Sequence, residues 1–115
     1  MNTVKINKFL HLEMCGCGYQ KIELGTFCIS KDLDYLRTGD ECKIAAETLD
    51  IPYGGHFAGD DNPSCVYHKD LKKIYFNRNG RARCLKNRCR SKMDSNHAAI
   101  CKGTLNSSVH FFNTT

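Results

Sequence analysis

The chain has 115 residues, eight of them cysteine, and its 17 Lys and Arg exceed its 12 Asp and Glu, which gives a formal net charge of +5. This length suits one domain and excludes two independent hydrophobic cores. The positive charge favours anionic partners, but it is too small to indicate which class of anion is bound. No apolar run approaches the roughly 18 residues that a membrane helix needs, which excludes a membrane-spanning role.

The two ends of the chain are predicted to lie outside the compact domain, which spans residues 19–103. Residues 1–18 form a polar arm in which charged side chains interrupt every apolar stretch, so no export signal is expected. Residues 104–115 form a tail rich in Thr, Ser and Asn. The tail holds two candidate glycosylation acceptors in Asn-x-Ser/Thr sequences, Asn106 and Asn113.

The first half of the domain is predicted to contain a strand and a helix. Residues 19–27 mix β-forming and polar side chains, as in a half-buried strand that leads into Cys28. The helix begins at a capping box, where the Thr38 hydroxyl accepts from the Glu41 amide and the Glu41 side chain reaches back to the cap. It ends by residue 50 or 51, because Pro52 disfavours helical geometry in the residue before it. Its apolar stripe consists of Cys42, Ala45, Ala46 and Leu49.

The second half is predicted to be mainly β. Residues 52–63 hold three glycines and indicate an irregular loop. A hairpin of two strands, 65–68 and 73–77, follows, and the helix is expected to pack on it. A short apolar strand at 98–101 returns beside 19–27 and closes the sheet. The candidate inward-facing residues of the hairpin are Cys65, Tyr67, Ile74 and Phe76.

The even number of cysteines in a short chain predicts a disulfide framework, since small domains bury too little surface to be stable without such links. Zinc is the first alternative, but Cys15/Cys17 and Cys84/Cys89 lack the spacing of zinc knuckles and the five histidines are scattered. Free thiols are the second. We therefore predict no metal and no cofactor. The predicted fold class is α+β, a small disulfide-rich domain with one short helix packed on an antiparallel sheet.

Two disulfides are predicted within the regular part of the chain, Cys28–Cys101 and Cys42–Cys65. Cys15 and Cys17 are too close in sequence to bridge each other without strain, so each needs a different partner. Cys84 and Cys89 then have two alternatives that the sequence leaves open. They close on each other, or they pair with the two amino-terminal cysteines and clamp the arm onto the loop between them.

Residues 78–92 form the one strong charge cluster, seven cations without an acid: Arg78, Arg81, Arg83, Lys86, Arg88, Arg90 and Lys92. Such a cluster can bind an acidic glycan, an acidic protein or nucleic acid, and it is also typical of a solvated hairpin tip held by Cys84 and Cys89. Nucleic acid is the less expected ligand, because no recognised motif and no interleaved aromatic residues accompany the cations. Exposed Tyr53, His56 and Phe57 are expected to add ring surfaces for a sugar.

Five short sequences occur in order: Gly25-x-x-Cys28, Glu41-Cys42-x-x-Ala45-Ala46-x-x-Leu49, Pro63-Ser64-Cys65-Val66-Tyr67, Ile74-Tyr75-Phe76-Asn77 and Ile100-Cys101. Over residues 19–102 this order resembles small cysteine-rich modules of surface and secreted proteins of algae and other protists, and distantly the PAN/apple class. The resemblance implies a helix stapled to a curved antiparallel sheet and an adhesion or interaction unit without catalytic residues. Departures from the pattern are Ser64 in place of Gly and the additional Cys15, Cys17, Cys84 and Cys89.

Two functional hypotheses follow. No nucleophile with a base, catalytic carboxylate pair or metal set is marked, and Asp60 and Asp61 lie in a turn, so an enzyme is not predicted. The first hypothesis is a structural or interaction module of a virion, as a minor capsid or capsid-associated protein of a large algal DNA virus, or of a cell surface, where disulfides persist. The second is a secreted carbohydrate- or polyanion-binding module that uses residues 78–92.

Overall fold

The computed structural model describes residues 18–85 and 88–103. The elements in chain order are β1 (Tyr19–Leu24), a 3-10 helix (Cys28–Lys31), β2 (Leu33–Tyr35), α1 (Gly39–Leu49), β3 (Tyr53–Phe57), β4 (Cys65–His68), β5 (Lys73–Asn77), a second 3-10 helix (Gly80–Ala82), β6 (Cys84–Leu85), β7 (Arg88–Cys89) and β8 (His97–Gly103). Several predicted features fall elsewhere in the chain: Cys15, Cys17, Lys86, Asn106, Asn113 and, apart from Gly18, the arm and the tail. Those predictions stand as predictions.

The predicted helix is confirmed, together with one of the two hydrogen bonds of its predicted capping box. The Thr38 hydroxyl accepts from the Glu41 amide at 3.1 Å, which satisfies one of the free N–H groups of the first turn. The Glu41 carboxylate accepts from the Arg37 amide at 3.4 Å rather than from the cap residue itself. Asp50 ends α1 in the left-handed region, with φ of 59°. Within the described ranges no helix is long and apolar enough to cross a membrane.

The main sheet has the order β1-β8-β4-β5-β3, and β2 also pairs with β8. The predicted hairpin is confirmed, because β4 and β5 pair antiparallel around the turn at residues 69–72. The predicted return of the chain beside the first strand is also confirmed, with Gln20 opposite Cys101 in the antiparallel pair of β1 and β8. The fold is thus a small disulfide-rich α+β domain with a single α-helix among the residues described.

Two sequence predictions about the sheet are wrong. The expected irregular loop at 52–63 contains strand β3, and β3 runs parallel to β5, so the sheet is mixed rather than antiparallel. The physical reason is close approach: a Cβ at Gly54 would lie 2.4 Å from the Tyr75 ring, so glycine is needed where the two strands meet. The first strand also ends at Leu24 instead of residue 27, because Gly25 turns the chain with φ of +75°.

The sheet has two differently covered faces. On one, which we call the helix face, α1 packs over a cluster of Leu36, Cys42, Ala45, Ala46, Cys65, Ile74 and Ile100. The other face we call the hairpin face, because the hairpin of β6 and β7 packs on it through Cys84 and Cys89. Its cluster comprises Ile22, Cys28, Tyr35, Cys84, Ala99 and Cys101. The predicted inward-facing residues of β4 and β5 all belong to the helix face, with Cys65 and Ile74 fully buried and Tyr67 and Phe76 packed beside them.

Each cluster contains a disulfide. The structure forms the two predicted bonds, Cys42–Cys65 on the helix face and Cys28–Cys101 on the hairpin face. From loop-closure entropy these links contribute about 3 and about 4 kcal/mol. A third bond joins Cys84 to Cys89, so of the two alternatives for these residues the structure takes the local one and not the clamp on the amino-terminal arm.

Candidate binding surface

The charges of the chain are unevenly distributed. Residues 78–92, here called the basic hairpin, hold seven cations and no acid, including five of the six arginines. The remaining residues hold 10 cations and 12 acids, so outside the basic hairpin the chain is slightly acidic. The net positive charge therefore belongs to this segment rather than to the surface as a whole.

Local hydrogen bonds and the third disulfide build the basic hairpin. The Asn79 side chain accepts from the Arg81 amide at 3.0 Å and caps the 3-10 helix that opens it. The Ser91 hydroxyl donates to the Ala82 carbonyl at 2.7 Å and ties the returning strand to that helix. Cys84 lies opposite Cys89 in the β6–β7 pair, and their disulfide closes the ladder.

Alternation along the basic hairpin separates buried residues from cations. Ala82, Cys84 and Ser91 are buried, whereas their neighbours Arg83 and Arg90 are exposed. Cations are exposed along the whole described part of the hairpin: Arg78, Arg81, Arg83, Arg88, Arg90 and Lys92. Cys84 belongs to the hairpin-face cluster and Cys89 packs against it, while the charged side chains face solvent.

These cations have no carboxylate partner in the described parts of the chain. The ion pairs found there are Lys31–Glu23, Arg37–Asp34 and Lys102–Glu41, and the Asp94 carboxylate is bonded to His97; all of these contacts lie outside the basic hairpin. The acids nearest in the network, Asp60 and Asp61, accept from the Asn79 amide group and from the Lys92 main-chain N–H instead. The guanidinium groups therefore remain available for the bidentate contacts that arginine makes with sulfate and carboxylate.

The basic hairpin is attached to the sheet at both of its ends. The Arg78 N–H donates to the Phe57 carbonyl at 2.8 Å, and the Asn62 N–H donates to the Lys92 carbonyl at 2.7 Å. With the disulfide between them, these bonds give the cations a scaffold of defined geometry rather than a free loop.

The predicted ring surface of Tyr53, His56 and Phe57 does not form. Tyr53 packs on the helix face, where burial and the nearby Asp40 raise the pKa of its hydroxyl. His56 is exposed, and Phe57 lines a cavity on the hairpin face. Tyr53 and Phe57 are thus on opposite faces of the sheet, because the bulge and side-chain alternation along β3 direct them apart.

No prediction from the sequence anticipated the cavity that Phe57 lines. We call it the ring pocket; its volume is about 340 Å³, and its lining residues are Phe57, Asn62, His68, Leu71, Tyr75 and His97. His68 and His97 lie opposite each other in the β4–β8 register, with their ring centroids 4.7 Å apart in an edge-to-face arrangement. Nothing local in the sequence joins them, since only the pairing of distant strands brings the two rings together.

Hydrogen bonds hold both imidazoles and define their tautomers. Nδ1 of His68 accepts from the main-chain N–H groups of Asp70 and Leu71, each at 3.2 Å, so the neutral ring carries its proton on Nε2. Nδ1 of His97 lies 2.7 Å from the Asp94 carboxylate and therefore donates to it, which in the neutral ring leaves Nε2 as an acceptor. The two rings present opposite hydrogen-bonding characters.

A network of hydrogen bonds orients the Asp94 carboxylate. It accepts from the Asn62 side chain at 3.0 Å and from the Asn96 main-chain N–H at 2.9 Å, in addition to His97. Burial raises the pKa of the Asp94 carboxyl. The hydrogen bonds from His97 and the two asparagines together lower it by more, so the pKa lies below its usual value.

In the described portion of the chain no three metal-ligating side chains come together. Comparisons of this chain with protein-family models, with curated proteins and with solved structures find no match. The functional argument therefore depends on the basic hairpin and on the ring pocket.

Proposed function

We propose that the protein is a non-catalytic, disulfide-stabilised interaction module of a virion or cell surface, and that its basic hairpin binds an acidic, sulfated glycan. The observation that carries this proposal is the set of exposed arginines on a closed hairpin, without carboxylate partners in the described residues.

Arginine chemistry supports a sulfated ligand. A single exposed ion pair contributes at most about 1 kcal/mol, so affinity has to come from several contacts along one polyanion. The basic hairpin supplies six described cations close together in sequence, and attachment at Arg78 and Lys92 limits the conformational freedom lost on binding. It has no aromatic residue on which a nucleic-acid base would stack, which favours a glycan over nucleic acid.

The disulfides support the location. Three bonds within so small a domain are typical of proteins that work in oxidising surroundings, which include secreted fluids, cell surfaces and virions. Sulfated glycans are ligands of those same surroundings. An adhesion or interaction unit is also what the resemblance of residues 19–102 to cysteine-rich surface modules implies, with capsid or cell-surface proteins as its structural partners.

The test is elution from immobilised heparin in a salt gradient. The variant Arg83→Gln/Arg88→Gln/Arg90→Gln removes three hairpin cations. A matched variant, Lys21→Gln/Lys31→Gln/Lys43→Gln, removes three exposed cations away from the basic hairpin and the ring pocket and gives the same net charge. We expect the arginine variant to elute at clearly lower salt, with a salt dependence of log K weaker by up to about 3, and the lysine variant to stay near the parent.

Equal shifts for the two variants would mean that only net charge matters, and this would overturn the assignment of the site. Absence of retention for the parent at low ionic strength would overturn the polyanion proposal itself. Thermal unfolding followed by circular dichroism establishes that both variants remain folded.

A further inference from the structure

We infer that the ring pocket binds an uncharged pyranose ring of the glycan whose sulfate groups contact the basic hairpin. This inference rests on the proposed function, and it adds a second, sugar-reading subsite to it. The pocket and the hairpin would then recognise different chemical features of one ligand.

The walls of the ring pocket suit a sugar ring. The side chains of Phe57 and Tyr75 provide aromatic surface, and the C–H face of a pyranose packs on such rings. Leu71, in the turn between β4 and β5, is 56% exposed and extends the apolar wall. A cavity of about 340 Å³ falls in the size range of small-ligand sites.

The polar atoms of the pocket match neighbouring hydroxyl groups. In the neutral rings, Nε2 of His68 is a donor and Nε2 of His97 is an acceptor, and within the described residues neither atom has a protein partner. The Tyr75 hydroxyl, likewise without a protein partner there, can both donate and accept. A sugar hydroxyl also does both, so two adjacent hydroxyls can satisfy the two imidazoles together. A purely apolar ligand would bury these polar groups without partners.

The arrangement is held before any ligand arrives. The His68 ring is fixed by two main-chain N–H groups, and the His97 ring by the Asp94 carboxylate. Among the described residues, Asp94 has the one carboxylate that is hydrogen-bonded to the pocket lining, and its oxygens already accept from His97, Asn62 and Asn96. Its charge is thus engaged by protein donors rather than directed at a ligand.

The ring pocket and the basic hairpin are adjacent through their backbones. Phe57 lines the pocket and accepts from the Arg78 N–H at 2.8 Å; Asn62 lines it and donates to the Lys92 carbonyl at 2.7 Å. The two ends of the basic hairpin therefore start directly at the pocket wall. A glycan with one ring in the pocket has its neighbouring units beside the cations.

The experiment uses uncharged probes, so that the hairpin does not contribute. Methyl pyranosides of glucose, galactose, mannose and N-acetylglucosamine are titrated one at a time into the isotopically labelled full chain, and amide shifts are followed by NMR. We expect at least one of them to shift amides of the pocket, such as those of His68, Tyr75 and His97, and to bind with an affinity independent of salt.

Two variants and one control test the assignment. Phe57→Ala removes a stacking ring and is expected to abolish the shifts. Tyr75→Phe retains the ring but loses one hydrogen bond, and should weaken binding about 3- to 10-fold. The control is Ile44→Ala, which truncates an apolar residue of α1 that is 52% exposed and lies outside the pocket, and which should change nothing. If Phe57→Ala does not fold, the ratio measured with Tyr75→Phe decides.

No pocket shifts with any of the four pyranosides, or unchanged affinity in Tyr75→Phe, would overturn the inference. The triple arginine variant separates this failure from failure of the proposed function. It should bind the pyranoside as the parent does while eluting from heparin at clearly lower salt. If the pyranoside binds but the arginine substitutions leave heparin retention unchanged, the basic hairpin is not the polyanion site, whereas the sugar-binding role of the ring pocket stands.

Discussion

The side-chain amide of Asn77 donates to the main-chain carbonyl of Asn62 at 3.1 Å, and both residues are buried. The same amide donates to the carbonyls of Gly59 and Asp61 at 3.1 and 3.0 Å, and its oxygen accepts from the N–H groups of Gly59 and Asn79. One side chain thus holds the loop that lies between the ring pocket and the basic hairpin. It substitutes for a strand partner that the loop does not have.

Asn77→Ala should lower the free energy of unfolding by about 3 kcal/mol, because several main-chain groups lose their partner at once. Urea denaturation measures the loss. Asn96→Ala is the control, since Asn96 is exposed and its side chain makes no hydrogen bond in the described residues. Equal losses in the two variants would contradict the role given to Asn77.

The disulfides should differ in their effect on stability according to the loops they close. Cys28–Cys101 spans 73 residues and Cys84–Cys89 spans 5. Replacing both cysteines of a pair by Ala should cost about 4 kcal/mol for the long loop and about 2 kcal/mol for the short one. Arg81→Gln, an exposed substitution in the same segment, should stay within about 0.5 kcal/mol of the parent. A short-loop loss that matched or exceeded the long-loop loss would show that local packing, not chain entropy, dominates.

Features with local causes could be predicted from the sequence. The Thr38 cap and the effect of Pro52 on the residue before it depend on residues within one helical turn, so the bounds of α1 follow from the local sequence. The β4–β5 hairpin likewise needs only alternation and a polar turn. The pairing of Cys84 with Cys89 stayed open because either alternative satisfied the spacing.

Features that depend on distant pairing could not be predicted. The two glycines of β3 are typical of a turn, and only the presence of Tyr75 on the neighbouring parallel strand shows that Gly54 permits a close approach. The ring pocket has the same character. His68 and His97 meet because β4 and β8 pair in one particular register, and a shift of one residue would send the two side chains to opposite faces.

Asp94 should make part of the stability dependent on pH. Its carboxyl has a pKa below the usual 3.8 in the folded protein, so its contribution is complete above that value and is lost as the pH falls through the lower, folded-state pKa. The contribution is at most about 1 kcal/mol, because the side chain is 51% exposed. The stability difference between the parent and Asp94→Asn should therefore shrink on acidification. Asp70→Asn, in an exposed turn, controls for the loss of one charge. A difference that stays constant from neutral to acidic pH would contradict the assignment.

Gly54 should be the glycine whose replacement affects the sheet and the ring pocket together. A Cβ there would lie 2.4 Å from Cε2 of Tyr75, which forces the Tyr75 ring or the β3 backbone to move. We expect Gly54→Ala to lower the free energy of unfolding by about 1 to 3 kcal/mol, as overpacking does, and to shift the NMR signals of the pocket residues. Gly80→Ala is the matched control, because its Cβ would meet no atom within 4 Å. Equal stability of Gly54→Ala and Gly80→Ala would show that the contact with Tyr75 does not require glycine in β3. Unchanged pocket signals in Gly54→Ala would show that this contact does not position the Tyr75 ring in the pocket.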